Sequence, residues 1–277
     1  MSCLVSNNDP SLWRDAWPHL NDTAHKYDRG HALIVGGYPM TGAARLAARA
    51  AARAGAGLTT VAVPEVAFPI YATSLTSIMV HPLVDDGALR KLITEQDFSA
   101  FLIGPGAGAG TGTRSHVMTL LAANRPTLLD ADALTTFAGH RSELFAALTA
   151  ECVLTPHEGE FVRLFEQRDD KVGRALSASA ACGAVIVLKG RETVIAAPDG
   201  RVIVNRNAPP TLATAGSGDV LSGIICGLLA QCMEPFLAAA AGVWMHGAAA
   251  AAFGPGLIAE DLPDLLPAVL RALRAET

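Results

Sequence analysis

The sequence is poor in aromatic and charged residues. Of its 277 residues, 5% are Phe, Trp or Tyr and 17% are Asp, Glu, Lys or Arg, with a net charge of -5. So mild an acidic balance argues against a nucleic-acid partner held by bulk electrostatics. The five cysteines, at 3, 152, 182, 226 and 232, are odd in number and form no C-x-x-C pair. That argues against a disulfide framework or a zinc ribbon, and it fits buried thiols in a reducing, cytoplasmic setting. Met1 to Asp15 holds no basic region followed by an apolar one, so no secretory leader is expected. There is no Walker A loop, no nucleophile elbow, and no metal-ligand spacing among the scattered histidines. Between Glu234 and Glu260 there is no Asp, Glu, Lys or Arg, a length that could span a bilayer. The stretch is mostly Ala and Gly, has His246 near its middle and runs into Gly254-Pro255-Gly256. A buried core helix, and no membrane contact, is the expectation.

Hydrophobic residues make up 51% of the chain, enough for one large core. Residues 1–25, with Asn7-Asn8-Asp9-Pro10 and Asn21-Asp22, read as an irregular N-terminal extension. Residues 26–277 read as one α/β domain. Strands are expected over 32–35, 59–63, 77–80, 100–103, 127–129, 153–154 and 184–188. They are continuous apolar runs, as in a mostly parallel sheet covered by helices on both faces. Pro198-Asp199-Gly200 separates 193–197 from 202–205 as a hairpin turn. Helices are expected over 41–54, 113–123, 218–231, 235–251 and 261–275.

Polar and Gly-rich residues gather after the expected strands, where open α/β sheets bind ligands. The sharpest case is Ala215-Gly216-Ser217-Gly218-Asp219-Val220-Leu221, which opens a helix. Its free N–H groups and helix dipole make an anion hole, and Asp219 stands ready to take a proton from an attacking hydroxyl. The plainer reading is a glycine turn with Asp219 serving the helix dipole. Gly104-Pro105-Gly106-Ala107-Gly108-Ala109-Gly110 imitates a dinucleotide fingerprint or forms a backbone wall for a ligand. Asp130-Ala131-Asp132 either organises Mg²⁺ through waters or caps the next turn. His157 and Glu160 follow one strand, and Lys189 follows another as a cation suited to phosphate.

In order, these segments resemble the ADP- or ATP-dependent NAD(P)H-hydrate dehydratases. The likeness begins at His25-Lys26, Gly30-His31 and Leu33-Ile34-Val35-Gly36-Gly37. It continues through Thr41-Gly42-Ala43-Ala44, Arg53-Ala54-Gly55-Ala56-Gly57-Leu58 and Ile103-Gly104-Pro105-Gly106. Beyond these lie Leu129-Asp130-Ala131-Asp132-Ala133-Leu134, Leu154-Thr155-Pro156-His157 with Glu160, and Leu188-Lys189-Gly190. Ala213-Thr214, Gly216-Ser217-Gly218-Asp219-Val220-Leu221, His246-Gly247 and Ala259-Glu260-Asp261-Leu262-Pro263 complete it, over about residues 25–275. The resemblance implies a ribokinase-like α/β/α sandwich with a mostly parallel central sheet. It also implies a carbon–oxygen lyase that repairs hydrated NADH or NADPH. A nucleotide phosphorylates the ring hydroxyl, phosphate leaves, and the ring double bond returns. ADP is the expected donor, giving AMP, with ATP as the other option, and Mg²⁺ accompanies it.

By the same resemblance, Asp219 is the catalytic base. Ala43, Gly106, His157 and Asp219 line the hydrate site. Lys189, Gly190, Arg191, Glu192, Thr193, Gly216, Ser217 and Gly218 hold the adenine nucleotide, and Glu160 organises Mg²⁺ water. A homo-oligomer, such as a tetramer, is expected. There are departures: Ser217 stands for a usual Thr, Ala215 for a usual Gly, and Asn207-Ala208-Pro209-Pro210-Thr211-Leu212 for a usual Gly-Asn-Pro-Gly-Met run. The alternative is a kinase of the same fold acting on a small hydroxylated vitamin precursor. A Rossmann oxidoreductase would leave Gly216 to Asp219 unexplained.

Overall fold

The apolar runs assemble into one ten-stranded sheet in the computed structural model, which describes residues 5–18, 23–167 and 170–275. The strands are β1 (Val5–Asn7), β2 (His31–Val35), β3 (Leu58–Pro64), β4 (Met79–Leu83), β5 (Ala100–Ile103), β6 (Thr127–Leu129), β7 (Cys152–Leu154), β8 (Val185–Leu188), β9 (Thr193–Ala196) and β10 (Val202–Asn205). The early helices are α1 (Thr41–Ala54), α2 (Phe68–Ser74), α3 (Ala88–Glu95), α4 (Thr111–Leu121), α5 (Asp132–Thr135) and α6 (Arg141–Ala147). The later ones are α7 (Glu158–Leu164), α8 (Lys171–Cys182), α9 (Ser217–Ala230), α10 (Pro235–Phe253) and α11 (Leu262–Ala275).

The strand order is β1-β10-β9-β8-β7-β6-β5-β2-β3-β4. All neighbours are parallel except β8–β9 and β9–β10, the expected hairpin. Successive side chains of each strand serve opposite layers, as the pleat requires. Ala32 and Ile34 face the layer of α1, α2, α9, α10 and α11, while Leu33 and Val35 face α3 to α8. This is why the strands read as unbroken apolar runs. From β2 the chain moves outward to β3 and β4, and then returns to β5 and proceeds the other way. The β2/β5 junction is therefore a topological switch point, where the loops part and leave a crevice.

Two expectations need revision. The N-terminal extension is not wholly irregular, since Val5–Asn7 pairs in parallel with Val202–Val204 as an edge strand. Three residues are too few for a periodic signal, and the pairing depends on an edge nearly 200 residues away. Behind it Trp13 is buried, edge-on to Trp244 with ring centres 5.9 Å apart. Of the expected turns, Asn21-Asp22 lies outside the described residues. The helices α2, α3, α5, α6, α7 and α8 were also not anticipated.

α10 is long and apolar enough to cross a membrane by length and composition. It packs instead between α9, α11 and the sheet, with most of its residues buried. Gly254 ends it, as the Gly-Pro-Gly sequence suggested.

Candidate active site

The C-terminal ends of β2, β5, β6, β7 and β8 lie side by side along one sheet edge. They carry Gly36-Gly37, Gly104-Pro105-Gly106, Asp130, His157 and Lys189 respectively. Parallel strands share one polarity, so residues distant in sequence meet along one edge. The first turn of α9 is brought to the same place by α1. A β-carbon on Gly223 would lie 2.1 Å from the Ala47 carbonyl oxygen, and one on Gly227 would lie 2.5 Å from that of Ala51. Only glycine allows such backbone contact. The pairing runs in the same sense along both helices, so their N-termini emerge together. Ala43 lies in the first turn of α1, and Gly106 packs on the Met40 carbonyl just before it. Ala43, Gly106 and Asp219, expected from the sequence to line one ligand site, thus belong to adjoining loop and helix starts.

Gly216 adopts φ 87° before the first turn of α9, a conformation costly for other residues. Ser217 Oγ donates to the Leu212 carbonyl at 2.8 Å and ties the divergent 207–212 segment to this turn. No side chain caps α9; its Ser217 N–H donates to the Thr214 carbonyl at 3.3 Å, and the N–H groups of Gly218 and Asp219 next in the turn face outward for a ligand. A β-carbon on Gly218 would lie 3.5 Å from Lys189 Nζ, which places the ammonium in front of the same turn. Lys189 Nζ donates to Asp130 Oδ1 at 2.7 Å. Ser222 Oγ donates to Asp130 Oδ2 at 2.6 Å, and Asp130 is fully buried.

The charges of this cluster act on one another. Burial raises the Asp219 carboxyl to about 7, helped by repulsion from Asp130 and opposed by Lys189. A carboxyl poised near neutrality suits proton transfer. Burial pulls the Lys189 ammonium down, but Asp130, Glu160 and Asp219 outweigh it and leave its pKa above the ordinary value. Burial also pushes His246, packed near the start of α9, down to about 4 and keeps it neutral.

Asp132 accepts from the Gly108 N–H at 2.8 Å and so pins the Gly-rich loop. Ala131 between the two aspartates sits at φ 46°, a strained conformation that costs about 1–3 kcal/mol. Neither aspartate caps the turn that follows, since α5 has no side-chain cap: Asp132 holds the Gly-rich loop, and Asp130 holds Lys189 and Ser222. His157 caps α7. Its Nδ1 accepts from the N–H groups of Gly159 and Glu160 at 2.9 and 3.2 Å. Glu160, buried, returns a bond from the His157 N–H at 2.9 Å. Glu160 Oε1 lies 3.3 Å from His157 Nε2, so both carboxylate oxygens face His157.

The Lys189–Thr193 turn joins β8 to β9. Gly190, Arg191 and Glu192 are exposed, and Thr193 is buried at the start of β9. Lys171, which sequence reasoning missed, organises this turn by donating to the carbonyls of Lys189 and Glu192 at 3.1 and 2.6 Å. Glu192 accepts from Arg206 at 2.9 Å, and Arg206 also contacts Asn7 of β1. Sequence reasoning missed Ser222 as well, although it left a trace: a lone hydroxyl in the apolar run of α9. Two grooves, of about 710 and 500 Å³, lie elsewhere, one between α3 and α4 and one at the start of α6 beside Arg163.

Residues 32–267 match the profile of the family described as NAD(P)H-hydrate dehydratase. A bifunctional NAD(P)H-hydrate repair enzyme Nnr of Salinibacter ruber is 42% identical over 286 residues, or 96% of this chain and 53% of its own length. The chain thus spans about half the length of the bifunctional relatives it matches. An ADP-dependent (S)-NAD(P)H-hydrate dehydratase of Neisseria meningitidis is 35% identical, covering 89% of this chain and 88% of its own. The ADP/ATP-dependent NAD(P)H-hydrate dehydratase of Bacillus subtilis, crystallised with ATP/Mg²⁺, superposes with a TM-score of 0.83 at 30% identity. That match covers 97% of this chain and 99% of the other. A ribokinase-like superfamily protein of Enterococcus faecalis, 23% identical, superposes with a TM-score of 0.85 over 97% of this chain and 96% of its own, which shows the ribokinase-like fold.

Proposed function

The chain belongs to the NAD(P)H-hydrate dehydratase family, and from that premise we propose that it restores hydrated NADH and NADPH at the expense of ADP. The observation that carries the reading is the pairing of a half-buried carboxyl, Asp219, with an uncapped helix start and the Lys189 ammonium. Asp219 takes the proton of the ring hydroxyl as that oxygen attacks the terminal phosphorus of ADP. The new O–P bond forms, the bridging P–O bond breaks, and AMP leaves. The N–H groups at the start of α9 and the Lys189 ammonium stabilise the charge on the transferring group. The ring C–O bond then breaks with phosphate as the leaving group, a neighbouring carbon gives up its proton to water, and the C–H electron pair restores the double bond.

Ala43, Gly106 and His157 form the hydrate side of the site, and Lys189 to Thr193 with Gly216, Ser217 and Gly218 form the nucleotide side. Among the described residues no three His, Cys, Asp or Glu side chains gather to hold a metal ion. Mg²⁺ keeps several waters and is commonly held by phosphates with few carboxylates, so this acidic site fits an ion arriving on the nucleotide. Glu160 would act on it through water, and the ion would neutralise phosphate charge. A reducing, cytoplasmic setting is inferred from the odd number and scattered spacing of the cysteines. The homo-oligomer implied by the resemblance is tested by light scattering on the eluted protein.

The deciding experiment incubates the protein with hydrated NADH or NADPH, Mg²⁺ and either ADP or ATP, and follows the reduced nicotinamide absorbance. Recovery with ADP, accompanied by AMP, supports the proposal. Recovery with ATP alone changes the donor. No recovery with either nucleotide, from protein that binds both, overturns it in favour of a small-molecule kinase.

A further inference from the structure

Asp130 sits at the meeting point of three elements of the site. It is fully buried past the end of β6. One oxygen holds the Lys189 ammonium, past β8, at 2.7 Å. The other is held by Ser222 Oγ, on α9, at 2.6 Å. That hydroxyl shares its single proton with the Gly218 carbonyl, 3.1 Å away, so the grip on Asp130 is anchored to the first turn of α9. The backbone of Asp130 is fixed on both sides. Its N–H donates to Ile103 at 3.2 Å, and its carbonyl accepts from Ala133 at 3.0 Å. That carbonyl lies so close to Gly104 that a β-carbon there would be 1.7 Å away.

Three carboxylates act on Lys189, those of Asp130, Glu160 and Asp219, and the ion pair that forms is with Asp130. An ammonium resting on Asp219 would suppress its basicity and withdraw from the phosphate position. We propose that Asp130 is a positioning residue: it holds the Lys189 ammonium in front of the first turn of α9 and off the Asp219 carboxylate. The cation then serves the phosphate, and the base stays free. This inference rests on the dehydratase reading for its rate predictions but not for its electrostatic one.

The groups that face Asp219 are Asp130 past β6, Asp132 on α5, Glu160 on α7 and Lys189 past β8. Asp130→Asn removes one repelling carboxylate and frees Lys189 to approach Asp219. Both changes acidify the base. The test measures nucleotide-dependent hydrate dehydration across pH for Asp130→Asn, Ser222→Ala, Lys189→Met and the two doubles carrying Lys189→Met. Asp130→Asn should lower kcat about 10²-fold, as for a lost transition-state donor, and move the ascending limb of the pH profile to lower pH. Ser222→Ala should cost about fivefold, one ordinary hydrogen bond, with a smaller shift of the same sign. In the Lys189→Met background both substitutions should change kcat less than about threefold, since they act through the missing ammonium. Losses that multiply undiminished in that background, or a limb that stays in place, would overturn the proposal.

Ser222→Ala carries the test should Asp130→Asn fail to fold. If wild-type protein shows no dehydration, the functional reading fails by itself. The Asp219 carboxyl carbon, titrated by NMR in wild type and Ser222→Ala, then decides the positioning role. A lower midpoint in the variant supports it, and an unchanged one overturns it.

Discussion

Gly223 of α9 rests on Ala47 of α1 so closely that a β-carbon would lie 2.1 Å from the Ala47 carbonyl oxygen. This contact brings the starts of the two helices together. It makes helix packing on one face of the sheet responsible for the spacing between Ala43 and Asp219. Gly223→Ala must push backbone from backbone, with no flexible side chain to yield. A loss of at least about 2 kcal/mol is expected, lowering Tm by roughly 5 °C. Thermal unfolding measured beside the hydrate KM checks this, and the KM should rise if the helix starts separate.

Asp219 should control both rate and stability, with opposite signs. As a base it must be ionised, so kcat/KM should climb as pH rises through about 7 and level off above. Its folded pKa is raised above the unfolded value of 3.8. Between those values the folded state binds the extra proton, so stability falls as pH rises from about 4 to about 7. The full effect is roughly 4 kcal/mol. Asp219→Asn, which removes this charge, should abolish turnover and retain nucleotide binding. It should also melt several degrees higher than wild type at pH 8 but not at pH 4. Calorimetry at the two pH values reads the difference.

Lys189→Met should reduce kcat by about 10²–10³-fold through loss of charge at the transferring phosphate. It also strands the buried Asp130, which among the described residues keeps Ser222 alone as a side-chain partner, at a cost of about 3–5 kcal/mol. Denaturant unfolding separates the stability loss from the rate loss.

His157→Ala removes the cap of α7 and should cost about 1 kcal/mol. If the exposed ring also meets the hydrate, its KM should rise while that of the nucleotide holds. Equal changes in the two would leave the cap as its whole role.

Trp13→Ala should cost about 3–5 kcal/mol, because the indole is buried against Trp17 and Trp244. Its Nε1 also donates to Asn8, which binds Asn205 and the Ala240 carbonyl. The nucleotide KM should rise modestly, since Asn205 donates to Asn207, the first residue of the 207–212 segment that Leu212 ties to Ser217 at the start of α9. Chemical denaturation and nucleotide titration together test this link.

The strands, the terminal helices and the glycine junctions could be read along the chain because each depends on local rules. A run such as Ala32 to Val35, apolar at every position, belongs in a sheet covered on both faces. Gly216-Ser217-Gly218-Asp219 announces a helix start with room for an anion. The order of such segments carried the family resemblance. Partner choice has no such local rule. Nothing near Asp130 indicates that it binds Lys189, 59 residues on, and Ser222, 92 residues on. Nothing in three residues of β1 indicates the far edge of the sheet. These outcomes depend on which buried groups come within reach once the layers close. In that dry interior an unpaired charge is costly enough to fix the choice.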